Sequence, residues 1–244
     1  MVVKYSIAAL GILCIAMLGP TGMADAKSSS KGSPLTAKQQ SSIPIAAFTA
    51  NGNVEKLKTA LAAGLQNGMT INEIREVLVQ MYAYAGFPRS LTALNTFIAL
   101  LDERKAQGIH DEVGRDATPL PHTANIRELG TANQTAVIGR AASGRVYGFA
   151  PIIDTFLKEH LFGDIFSRDV LSFPERELAT VSALAALPAA PQLRSHLNCC
   201  LVVGLTEAQL RAFVSVLAEK VGTREAALAE KSLNAVLHNS VQAK

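Results

Sequence analysis

Ser172–Thr206, SFPERELATVSALAALPAAPQLRSHLNCCLVVGLT, is the stretch that decides the fold. Ser172 stands three residues before Glu175, so each side chain can satisfy a backbone N–H left free at a helix start. Pro174 falls in the first turn, where its missing N–H costs little. Alanine and leucine continue to Leu187, Leu187–Pro191 reads as a short turn, and a second helical run reaches Gly204. Glycine at that point suits the left-handed conformation that ends a helix. Thr206 with Gln209 then begins another. The stretch is a helical hairpin with a third helix attached.

The same plan is written earlier in the chain. At an offset of 136 residues, Leu35–Phe97 aligns without a gap on Leu171–Leu233. Leu57 meets Leu193, Leu61 meets Leu197, Gly68 meets Gly204, Thr70 meets Thr206, Arg75 meets Arg211 and Gly86 meets Gly222. The start signals recur as well, with Thr36 and Gln39 matching Ser172 and Glu175. Each copy predicts four helices, over 37–50, 54–67, 71–85 and 89–106, then 174–187, 190–203, 207–221 and 223–238. Ile74, Val77, Leu78 and Met81, and again Leu210, Phe213, Val214 and Leu217, mark one buried face. The fold class is all-α.

Outward from the repeats, 1–26 reads as a secretory signal peptide: Lys4, the apolar run Ile7–Leu18, then Ala24-Asp25-Ala26 before the expected cleavage. The apolar run is short for a membrane span. Residues 27–34 (KSSSKGSP) form a polar leader expected to be disordered. The first repeat occupies 35–107, a connector 108–170, and the second repeat 171–238. The connector is proline-bearing at first and then apolar, with helices expected near 127–140 and 149–161. An exported protein acting on a small molecule, with no membrane attachment after cleavage, follows as the expectation. A net charge of +3, scattered rather than striped, gives no footprint for nucleic acid.

The repeats differ where chemistry is concentrated. Glu177 and His196 are nineteen residues apart in the second copy, and the first places Ser41 and Ala60 opposite them. Helices joined by the Leu187–Pro191 turn bring the two level, and a carboxylate beside an imidazole suits general acid–base work. A plain hydrogen bond between packed helices is the alternative, disfavoured because the twin dispenses with both groups. Cys199 and Cys200 are candidate thiols, with buried apolar packing as the simpler reading. Arg176 and Arg194 are candidate anchors for an anionic substrate, with exposed helix arginines as the default. Tyr82 and Tyr84, opposite Ala218 and Lys220, are candidate pocket residues or core aromatics. The five histidines show no HxxxH or HxH pair, and there is no GxGxxG or GxxxxGK[ST], so no metal or cofactor site is expected.

Arg176-Glu177-Leu178-Ala179-Thr180 at a helix start, His196 eight residues before Gly204-Leu205-Thr206, and Tyr84-x-Gly86-x-Pro88 resemble the carboxymuconolactone decarboxylase family. That family includes the alkylhydroperoxidase D proteins. The resemblance implies two tandem decarboxylase-like repeats packed as a pseudo-dimer and cofactor-independent chemistry on a small carboxylated or lactone substrate. It also implies a homo-oligomer, a trimer by analogy with single-repeat relatives. The peroxidase branch carries a CxxC pair between its glutamate and histidine, and those positions hold Ala189 and Gln192 here. A peroxiredoxin-type activity and a non-catalytic binding protein on the same fold stand as the alternatives.

Overall fold

The computed structural model describes residues 34–242, with side chains through His238. The predicted signal peptide and the leader up to Ser33 lie outside the described residues. Thr36 starts α1 (Ala37–Asn51) through a capping box with Gln39, and Asn53 caps α2 (Val54–Gln66). Thr70 and Glu73 form a second box at α3 (Ile71–Gln80). Gly68, at φ +85°, makes the left-handed turn between α2 and α3. Helices α4 (Tyr82–Ala85) and α5 (Phe87–Ala106) complete the first repeat.

The connector carries no regular structure until α6 (Ile126–Ile138). Two single turns follow, α7 (Arg145–Phe149) and α8 (Pro151–Thr155), and α8 runs directly into a π-helix, Phe156–Ile165. The second repeat is α9 (Phe173–Ala186), α10 (Ala190–Val202), α11 (Glu207–Lys220) and α12 (Thr223–Gln242). Glu175 accepts from the Ser172 N–H at 2.8 Å, and Thr206 with Gln209 forms the expected box. No strand occurs among the described residues.

Three expectations are corrected. The helix expected over 71–85 divides at Met81, where the Tyr84 N–H bonds the Met81 carbonyl in a tightened turn. Helix α5 begins at Phe87 rather than 89, because Pro88 is tolerated in a first turn. The connector helix expected over 149–161 is two segments reaching Ile165, and most of it is π-helical. Gly130 and Gly163 let α6 and this segment touch backbone to backbone: a Cβ on Gly130 would collide with the Lys158 carbonyl.

α1 and α9 lie against each other at the centre. Residues Ser41–Ala50 of the first and Arg176–Ala186 of the second are buried on all faces, which explains why neither reads as a one-sided helix. Their buried hydroxyls are satisfied within their own helices. Ser41, Thr49, Thr180 and Ser182 donate to carbonyls four residues back at 2.7–2.9 Å. One apolar core surrounds Leu61, Ile74 and Phe97, a second surrounds Leu197, Phe213 and Leu233, and a third lies beneath the connector around Phe162 and Phe166. The two repeats pack as a pseudo-dimer within one compact unit.

Candidate active site

Glu177 sits in the second turn of α9 and His196 at the middle of α10, facing it across the hairpin. His196 Nδ1 lies 2.8 Å from Glu177 Oε2. The Glu177 side chain is wholly buried, whereas one fifth of the imidazole surface is exposed. A carboxylate can only accept, so Nδ1 carries the hydrogen and Nε2 is left to exchange a proton. Burial disfavours the charged ring, but the charge of Glu177 and its hydrogen bond outweigh that effect and raise the His196 pKa. Glu177 Oε1 is buried without a hydrogen-bond partner.

Two further groups complete the cluster. Cys199 lies one helical turn beyond His196, buried against Val137, Phe162, Ile165 and Phe166. Donor atoms of Glu177, His196 and Cys199 all lie within 4.8 Å of one another. Burial, and then the negative charge of Glu177, pushes the Cys199 thiol up to about 12, so it stays protonated. Tyr84 enters from the other repeat: its ring meets His196 edge-on with centroids 5.8 Å apart. Burial, reinforced by Glu177, raises the Tyr84 phenol, which lies beside the Thr180 hydroxyl. The site is therefore assembled from both repeats.

Comparison with known families matches residues 18–98 and 153–233 to the carboxymuconolactone decarboxylase family. The chain belongs to that family. No curated protein matches the chain. The second match begins at Ile153, inside the connector, so the helix before α9 is part of the family module. The first match begins outside the described residues.

Within this family frame, the remaining candidates separate. Arg176 is no exposed anchor: it is fully buried, donating to Gln80 Oε1 at 2.9 Å, Glu76 Oε2 at 3.2 Å and the Arg168 carbonyl at 2.6 Å. Arg168 also pairs with Glu76, so the repeats are joined through an Arg–Glu–Arg cluster in which Arg176 and Glu76 are buried and Arg168 is exposed on one side. Arg194 is exposed, two residues from His196 and so on another face of α10. Tyr82 stacks on Phe87 at 4.3 Å, lies 5.5 Å from the ring of His160 and packs against the connector core that also holds Cys199. Cys200 packs in the core of the second repeat, and both thiols are free. The places where the family's peroxidase branch holds its dithiol carry Ala189 and Gln192, the latter exposed.

Two features of the site have no local signature in the sequence. The connector forms the wall behind Cys199, because non-local packing of Val137, Phe162 and Phe166 has no local signature. Arg140, after the C-terminus of α6, places a positive charge close enough to lower the Cys199 pKa against the dominant burial. The expectation of no metal site rested on histidine pairs. Folding nevertheless gathers a carboxylate, an imidazole and a thiol that suit a borderline ion such as zinc.

Proposed function

We propose that this family member is a cofactor-independent enzyme that decarboxylates or otherwise processes a small carboxylated or lactone substrate by general acid–base chemistry at His196. The observation that carries the reading is the 2.8 Å bond between His196 Nδ1 and a wholly buried Glu177. It fixes the tautomer and holds the ring protonated above its ordinary range, leaving Nε2–H as the acid. In the step, the carbon–carbon bond to the substrate carboxylate breaks and carbon dioxide leaves. The electron pair stays on the ring carbon, conjugated with the lactone carbonyl, and Nε2–H delivers its proton there. Solvent then reprotonates the imidazole. Arg140 is the cation we assign to steer the anionic substrate, in place of Arg176.

The geometry favours this over a peroxide reductase. A peroxidase needs a thiolate and a resolving thiol; the Cys199 thiol is held protonated and Cys200 is in another core. Export and homo-oligomerisation belong to the same proposal. Phe149 is 92% exposed beside exposed Val146, Ile152 and Phe156, which supports burial of that face between copies. The test compares wild type, His196→Ala and Cys199→Ser/Cys200→Ser for carbon dioxide release from a carboxylated unsaturated lactone and for peroxide consumption with a dithiol. Lactone turnover lost only with His196 is expected. Peroxide turnover lost only in the cysteine variant would overturn the proposal.

A further inference from the structure

The degenerate repeat holds a site of its own. A cavity of about 370 Å³ opens between α1, α2 and the end of α11, lined by Pro44, Phe48, Lys56, Thr59, Ala60, Ala63 and Lys220. At the 136-residue offset four of these positions are twins of residues in or beside the acid–base site. Ala60 stands for His196, Ala63 for Cys199, and Pro44 for Thr180, beside which Tyr84 lies. Lys220 is the twin of Tyr84 itself, and it too crosses from the opposite repeat. The pseudo-two-fold axis therefore relates a filled site to an emptied one. Removing an imidazole and a thiol leaves space, and the volume falls in the range of small-ligand pockets.

The chemistry of the walls differs from that of the twin. Phe48 and Ala60 are buried and give an apolar floor. Pro44 inside α1 adds an apolar ring to the wall. Lys56 holds its ammonium 5.6 Å from the centroid of the Phe48 ring. Neither Lys56 nor Lys220 forms an ion pair among the described residues, although Lys38 and Lys58 both do. Two unpaired ammoniums at the rim of an apolar pocket suit an apolar body ending in a carboxylate. The lining holds no carboxylate, imidazole or thiol.

We propose that the first repeat is a binding site for a small apolar carboxylate, such as an aromatic acid, distinct from the acid–base site of the second repeat. The pocket serves recognition, with Lys56 and Lys220 on the carboxylate and Phe48 against the apolar body.

The test uses 2-naphthoate as the probe in isothermal titration of the mature chain, with 2-naphthamide as its uncharged counterpart. Binding of one naphthoate per chain with Kd below about 1 mM is expected, weakened about tenfold or more by Lys56→Gln/Lys220→Gln, since charge-assisted contacts are the strong ones. Ala63→Leu, at a partly exposed wall position, should remove binding by filling the pocket. His196→Ala should still bind the probe, which separates this site from its twin. No binding by folded wild type would overturn the proposal. So would equal affinity for the amide, or loss of binding in His196→Ala with retention in the lysine variant.

Discussion

Replacing Glu177 with glutamine separates catalysis from framework more cleanly than any other single change. The side chain keeps its shape and its place 2.8 Å from His196 Nδ1, but the charge is gone. Two unit charges about 4 Å apart interact by about 4 kcal/mol at the effective dielectric typical of proteins. That attraction is what overcomes the burial opposing protonation of His196. Without it, only burial acts on the ring, and its pKa should fall below the ordinary imidazole value. The acid would then be mostly absent at neutral pH, and kcat/KM for the lactone should drop about 10²- to 10⁴-fold. Stability should move little. Glu177 Oε1 is already unpartnered, so losing a buried charge offsets leaving an amide group unsatisfied. The assay pairs an NMR titration of the His196 ring with urea denaturation of the same protein. An unchanged ring pKa with retained turnover would refute the reasoning, as would a loss of stability above about 3 kcal/mol, the size expected for a purely structural buried pair.

Other perturbations follow from the same geometry. Because the folded state raises the His196 pKa, it binds the proton more tightly than the unfolded chain. The stabilisation from His196 is therefore complete below the ordinary value of 6.5 and lost as pH rises through the raised one. Urea midpoints should fall across that window in wild type, and that part of the fall should vanish in His196→Ala. Arg176→Met should destabilise the protein by about 3 kcal/mol or more, because Glu76 and Gln80 lose a buried partner; chemical denaturation measures this. Cys199→Ser places a hydroxyl against Phe162 and Phe166 and should cost about 1–3 kcal/mol while leaving an acid–base pair able to turn over. Zinc should inhibit the wild type at one ion per chain by taking the Glu177, His196 and Cys199 donors, and the Cys199→Ser variant should need more zinc, as inhibition titrations would read.

The helices were legible because their ends are chemically marked. Thr36, Thr70, Ser172 and Thr206 cap where a hydroxyl and a Glu or Gln three residues on can pair, and Gly68 and Gly204 stop the chain with positive φ. The Glu177–His196 pair was legible because two antiparallel helices of known rise leave little freedom in which residues come level. Arg176 was misjudged for the converse reason. Its partners Glu76 and Gln80 are about a hundred residues away, and no local pattern distinguishes a buried, paired arginine from a solvated one. Cys199 shared that fate in milder form: its helical spacing to His196 was visible, but the connector wall that buries it was not. The π-helix also escaped notice, since its register is set by contact with α6 through Gly130 and Gly163.

Chemical rescue of His196→Ala is the most direct test that His196 is the acid. The alanine variant should release carbon dioxide from the lactone about 10²- to 10⁴-fold more slowly than wild type. Added imidazole should restore part of that rate in proportion to the imidazolium present. Carbon dioxide release that is undiminished in His196→Ala, or that is lost and unmoved by imidazole at any pH, would contradict the account.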